Sequence, residues 1–245
     1  MLDFPAGRFA VWVTAWLAGR ASYDDALDGI LGQSAHRVAG LPGTDEAVSL
    51  GRALTELRRL GERRFRLVLP VAGDVRGLPR APGLAPLALE SGQAAVGEHL
   101  VLVPAALGPE VVQWTASQLD GVPPLPPPPE GNLRAVSGAL DLAVGDTARA
   151  LAGLDLARWN PEVPALLTGL ARTTTAPGLP ADHDPLALSV LGRAQRLGKV
   201  LDLAMADAPG AAVNHAQAAA RDEALRPLER AVREATEAAF NAIPR

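Results

Sequence analysis

"DEAVSLGRALTELRRLGERRFRLVLPV", residues 45–71, holds two periodicities back to back. Val48, Leu50, Leu54, Leu57 and Leu60 recur at helical spacing through residues 45–62. From there the period changes to two, with Arg64 and Arg66 alternating with Phe65 and Leu67 as on a strand with one wet face. A helix that feeds directly into a strand predicts an α+β fold.

The strand runs out into "AGDVRGLPR", residues 72–80. Loops that follow strands commonly carry binding residues. Gly73 and Gly77 would permit close backbone approach, while Asp74 and Arg76 offer opposite charges. The loop lacks the Gly-Lys-Ser/Thr ending of a phosphate loop, and the chain has no G-x-G-x-x-G fingerprint. The bland reading makes it a turn in which Asp74 caps backbone donors and Arg76 pairs with it or faces solvent. The functional reading makes Asp74, Arg76, Gly77 and Arg80 a site for an anionic or polar ligand. That site requires a second polar residue nearby, such as Arg37, His99 or Arg158. The sequence favours the turn.

Other elements follow from the same patterns. In "RFAVWVTAWLAGR", residues 8–20, Phe9, Val13, Trp16 and Leu17 share one helical face, with Trp12 at its edge. The uncharged run is well short of the ~20 residues of a spanning helix, so a core helix is expected. Ser22 is the expected N-cap of "YDDALDGIL", with Asp24 and Asp25 in its first turn. Strands are expected at "HRVAGL", "QAAVG", "HLVLVP" and "VVQWTA", and a further helix at "LAPLALESG". Short strands near one another imply a small mixed or antiparallel sheet covered by helices.

The proline-rich run "DGVPPLPPPPEG", residues 120–131, can join neither a helix nor a central strand. It is read as a polyproline linker rather than a ligand for proline-binding modules. Residues 1–119 then form the α/β part and residues 132–245 a helical bundle. In the second half, Leu133, Val136, Leu140, Val144, Leu151 and Leu154 form one stripe, and "PEVPALLTGLAR" gives a short helix. Asp184 followed by Pro185 marks the start of another helix. The last helix, roughly residues 212–242, has the stripe Leu225, Leu228, Val232, Ala235 and Ala239. Asp222–Arg226, Glu229–Arg233 and Arg230–Glu234 stand at (i, i+4), and Pro227 is expected to kink or break the helix.

Composition bounds the function. The 245 residues are 48% hydrophobic and 20% charged, an ordinary globular balance. A net charge of -4 argues against general nucleic-acid binding, which needs excess basic charge. There is no cysteine, which removes disulfides, thiolate metal sites and cysteine nucleophiles and suits a cytoplasmic protein. Lys199 is the only lysine, so arginine counts reflect composition more than function. The basic run at residues 58–66 is read as a solvated face. His36, His99, His183 and His215 make no local metal pair, and no serine sits in an acylation motif. His183 is read as a loop histidine, and Glu98-His99 as part of a turn. Arg158 and Trp159 close a helix in "ARWNP", where Arg158 is a further ligand-binding candidate.

At "LVLPVAGDVRGLP", "LESGQAAVGEHLVLVP" and "LARWNPEVPALL" the chain resembles a family of uncharacterised actinobacterial proteins. That resemblance implies a cytoplasmic setting and draws attention to Asp74, Arg76, Gly77, Arg158 and Trp159. It implies no activity, cofactor or catalytic residue. The expectation is an interaction or regulatory protein without catalytic activity, cofactor or metal. Its partner would be another protein or a second copy, with no nucleic acid and no membrane. The alternative is a small-molecule binding protein or enzyme using the Gly73–Arg80 loop.

Overall fold

The protein is described from a computed structural model, at residues 4–119, 133–153, 178–206 and 215–242. The elements in chain order are α1 (Pro5–Leu17), α2 (Tyr23–Leu31), β1 (Ala35–Ala39), β2 (Val48–Ser49) and α3 (Leu50–Arg59). They continue with β3 (Arg66–Val68), α4 (Leu84–Ser91), β4 (Ala94–Val96), β5 (Leu100–Ala106) and β6 (Val111–Gln118). Three long helices follow: α5 (Leu133–Gly153), α6 (Pro185–Ala206) and α7 (His215–Phe240). The fold is α+β.

The six strands make one mixed sheet in the order β2-β1-β6-β5-β4-β3. Every neighbouring pair is antiparallel except β1 and β6, which run parallel from Ala35 opposite Val111 to Ala39 opposite Thr115. The last strand therefore inserts between β1 and β5, leaving β2 and β3 as the sheet edges.

Alternation along the strands builds two apolar layers. Leu67, Ala95, Leu100, Leu102 and Trp114 point into the larger core, with α1 and α3. Val68, Ala94, Val96, Val101 and Val103 point the other way, against Leu84 and Ala88 of α4. Both faces of this half of the sheet are thus buried, which is why its strands read as continuous apolar runs. At the centre, Phe9 packs against Phe65 edge-on with centroids 5.3 Å apart, and against Trp114 at 5.0 Å.

The same core passes without a break into the C-terminal helices. Leu140 of α5, Val190 and Leu191 of α6, and Leu228, Val232 and Ala239 of α7 belong to it. The expected stripe of α7, Leu225 to Ala239, is buried throughout. Asp184 caps α6 by accepting from the N–H groups of Leu186 at 2.7 Å and Ala187 at 3.2 Å. Ser22 does the same for α2 through Asp25 N–H at 3.0 Å.

Some local expectations are corrected. The helix expected over 45–62 begins only at Leu50, because Val48 and Ser49 pair with Val38 and Arg37 of β1. Ser49 then serves as its N-cap. The strand β3 is only three residues long, and Pro70, with no N–H to donate, follows closely. α7 runs on through Pro227, so of the expected kink or break the break does not occur. Of its expected (i, i+4) pairs, Arg230–Glu234 forms at 2.9 Å. Arg226 instead pairs with Glu223, and Arg233 leaves the helix surface for Asp74. The proline-rich segment, the short helix near residue 165, Leu154, Arg158 and Trp159 lie outside the described residues.

Candidate functional site

The loop after β3 is held from several sides. Val71 and Asp74 exchange backbone hydrogen bonds at 3.0 and 2.9 Å, closing a tight two-residue turn over Ala72 and Gly73. Gly73 takes φ +83°, a left-handed conformation that suits glycine. Gly77 is also left-handed, and its carbonyl accepts a hydrogen bond from Arg66 Nη2 at 2.6 Å. A Cβ on Gly77 would stand 3.1 Å from the Arg66 guanidinium and 3.3 Å from Val68. The glycines are explained by contacts within the protein.

Asp74 is the hub of this loop. Its two oxygens accept from Arg76 Nε and Nη2, both at 2.8 Å, and Oδ2 also accepts from Arg233 Nη2 of α7 at 2.6 Å. Arg76 reaches on to Glu234 at 3.2 Å, and Glu234 accepts from Arg230 at 2.9 Å. The Arg76 guanidinium, then that of Arg233, hold the Asp74 carboxyl well below the usual carboxylate range. Asp74 in turn pushes Arg76 upward. The result is a charged clasp between the β3 loop and α7.

The clasp is one end of a longer arrangement along the free edge of β3. Arg66 and Val68 pair inward with β4, so Phe65, Leu67 and Leu69 turn their backbone groups outward. Each is met by side chains. Thr14 of α1 accepts from Phe65 N–H at 2.9 Å and donates to its carbonyl at 3.2 Å. Asn241 accepts from Leu67 N–H at 2.7 Å and donates to its carbonyl at 2.8 Å. Glu237 accepts from Leu69 N–H at 3.4 Å, and Arg233 donates to the Leu69 carbonyl at 3.1 Å. Residues 233, 237 and 241 stand four apart, one turn each, so a single row along α7 and its end serves the strand. These side chains stand in for a missing seventh strand, which protects an edge that would otherwise invite pairing with another chain.

A buried carboxylate does similar work elsewhere on the sheet. Glu62 is 3% exposed and accepts from the N–H groups of Glu98, His99 and Leu100 at 2.7, 2.8 and 2.8 Å. Burial raises its pKa despite those three donors. Glu237 is raised for the same reason.

Among the other sequence-expected residues, Arg80, Arg37 and His99 are exposed, and Asp74 and Arg76 meet each other and α7. Arg58, Arg59 and Arg63 of the basic run are exposed, as expected of a solvated face, while Arg64 and Arg66 are half-buried. Arg58 stacks over Trp16 at 4.5 Å, Arg59 pairs with Glu56, Arg63 pairs with Glu98, and Arg66 is half-buried. His183 lies in the loop before α6, as expected, and is buried there: it is 3% exposed, with Nε2 3.0 Å from the Ala239 carbonyl. His36 is buried and accepts from Trp114 Nε1 at 3.2 Å. Among the described residues no group of three or more His, Asp or Glu could hold a metal ion, and no described helix is long and apolar enough to cross a membrane.

Glu62, Arg233, Glu237 and Asn241 are the residues that sequence reasoning missed. The four-residue spacing of the last three was a readable signal, but nothing in the sequence ties that row to β3.

The comparisons with known proteins agree with one another. The model of the Rv1486c-like protein N-terminal domain matches residues 6–130, and that of the C-terminal domain matches residues 134–237. The uncharacterized protein Rv1486c of Mycobacterium tuberculosis (strain H37Rv) is 30% identical over 282 residues, covering 98% of this chain and 96% of that protein. The uncharacterized protein ML1804 of Mycobacterium leprae (strain TN) is 28% identical over 292 residues, covering 98% and 97%. No solved structure matches the chain.

Proposed function

The chain belongs to the Rv1486c-like protein family, and from that premise we propose that it is a non-catalytic interaction protein of the cytoplasm, acting on a protein partner or on a second copy of itself. One observation carries this reading. Asp74, Glu62 and Glu237, the carboxylates with perturbed titration, are each engaged in holding backbone or in tying α7 to the sheet. Perturbed groups often mark catalytic sites, but structural networks perturb them as well. Here the partners are structural. The absence of cysteine and the family resemblance support the cytoplasmic setting.

The test pairs two measurements on the full chain. Light scattering across a dilution series reports self-association, and incubation with a metabolite extract followed by mass spectrometry reports turnover. The reading expects a concentration-dependent mass, or a stoichiometric complex with one protein, and no conversion of metabolites. Conversion that disappears in Asp74→Asn would overturn it.

A second reading keeps the Gly73–Arg80 loop as a ligand site. It is favoured by Arg80, which is exposed at the end of that loop and has no ion-pair partner among the described residues. A ligand at a hundred times its dissociation constant adds ~2.7 kcal/mol of stability. A thermal shift with phosphorylated metabolites that is lost in Arg80→Gln would favour this reading over the first.

A further inference from the structure

A groove of about 240 Å³ opens between α1, residues 63–65, residues 180–183 and the end of α7. Its wall is apolar where Ala10, Val11, Phe65 and Phe240 contribute. Its ionisable lining is Arg20, Arg63, Arg64, Asp182 and His183. Three arginines and one aspartate therefore contribute to its lining, in a chain whose net charge is -4.

Nearly all of the polar lining is already engaged. Arg20 donates to Asp182 at 2.5 Å across the rim. Arg63 forks onto Glu98 at 3.1 and 3.2 Å. Thr14 serves Phe65 and Asn241 serves Leu67. His183 Nε2 lies on a carbonyl, which can only accept, so that nitrogen carries the proton. Burial lowers the pKa of His183, which keeps the ring neutral and adds no charge to the groove. Arg64 differs from the rest. It is half-buried, lines the groove, and has no hydrogen-bond or ion-pair partner among the described residues. Its planar fork matches a carboxylate in two parallel hydrogen bonds and has no acceptor among the described residues to take them.

We propose that this groove binds a small organic acid, whose carboxylate takes the Arg64 guanidinium and whose apolar body lies against Phe65 and Phe240. The volume is below the ~300–1,000 Å³ of sites for drug-sized ligands, so the occupant is small. A single available guanidinium suits a singly charged carboxylate better than a phosphate dianion, which calls for several cations. This site is separate from the Gly73–Arg80 loop and does not depend on the function proposed above.

The experiment is an NMR titration of the full chain with hexanoate and with benzoate, following backbone amides along the groove and the arginine Nε–Hε signals. Their methyl esters and inorganic phosphate are run in parallel. The expected result is saturable shifts centred on the groove with the acids, and weaker binding by at least about tenfold in Arg64→Gln, a loss of one arginine fork. Thermal melts without ligand check that the variant is folded. If it is not, Arg64→Lys carries the test, because it keeps the charge and loses the fork, with several-fold weaker binding expected. Esters that bind as well as the acids would overturn the proposal, as would phosphate binding more tightly. So would acid binding indifferent to Arg64, or no saturation at all.

Discussion

The side-chain amide of Asn241 forms both hydrogen bonds of a strand partner with Leu67: it accepts from the Leu67 N–H at 2.7 Å and donates to the Leu67 carbonyl at 2.8 Å. An amide side chain is isosteric with the backbone unit it replaces. This contact is between residues 174 positions apart in sequence and lies at the junction of the sheet and the last helix. It makes the edge of the sheet and the end of α7 one structural unit.

Asn241→Ala leaves a donor and an acceptor of Leu67 unmatched. Each buried group left without a partner costs about 1–3 kcal/mol, less where water can reach it. The half-buried setting of Asn241 places the expected loss near the lower end for the pair, about 2 kcal/mol, read by urea unfolding of the full chain. Asn241→Asp keeps both hydrogen bonds only while its carboxyl is protonated; once ionised it sets an acceptor oxygen against the Leu67 carbonyl, so its cost is expected to grow as pH rises through the carboxylate range.

The two arginines on Asp74 are expected to differ. Arg233 has a side chain 17% exposed and also holds the Leu69 carbonyl, so Arg233→Ala should cost about 1–3 kcal/mol. Arg76 is 67% exposed, and surface pairs of that kind contribute about 0–1 kcal/mol. Equal losses in thermal or urea unfolding would show that the clasp does not depend on its buried arm.

Stability should vary with pH in two opposing ways. Asp74 has a depressed pKa in the folded state, so it stabilises above the ordinary carboxylate value and loses that contribution as pH falls through and below it. Glu62 and Glu237 have raised values, so the native state takes up their protons first. Their effect is a gain in stability as pH falls from neutrality toward the ordinary carboxylate value of about 4.3. The maximum is therefore expected on the acid side of neutrality. Asp74→Asn should flatten the acid limb, and Glu237→Gln should reduce the rise that precedes it, both read from urea midpoints across pH.

The turn at Glu98–Leu100 depends on one carboxylate. Glu62→Ala would orphan three backbone donors, and a loss of at least about 3 kcal/mol is expected. Gly97→Ala tests the same place from the other side, because its Cβ would stand 2.6 Å from Glu62 Oε2 and 2.7 Å from Phe65. Both substitutions should lower the melting temperature while leaving Arg76→Ala-like surface changes as the benign comparison.

Much of the fold was legible because it rests on local periodicity. The stripe of α7, the caps Ser22 and Asp184, and the switch from period 3.6 to period 2 near Arg64 all report burial by neighbours in sequence. What was not legible depends on distant partners. Val48 and Ser49 fit a helix by spacing and became a strand only because β1 offers them an edge. Arg233 looked like a helix-surface partner for Glu229, and tertiary structure gave it Asp74 instead. The Gly73–Arg80 loop was correctly placed at the end of a strand, but the identity of what Asp74 faces could not be read from the loop itself. The same holds for Asn241, an ordinary polar residue near a chain end until the edge of β3 lies beside it.

Amide hydrogen exchange at Leu67 tests the account most directly, in the full chain and in Asn241→Ala. The amides of an open sheet edge exchange quickly, whereas those closed by tertiary structure exchange only through larger openings. The Leu67 amide is expected to be protected in the native chain at a level approaching that of Leu102 in the central strand β5, and to lose at least about tenfold of that protection in the variant. Fast exchange of Leu67 in the unaltered chain, or protection that survives the loss of Asn241, would mean that α7 does not close the sheet.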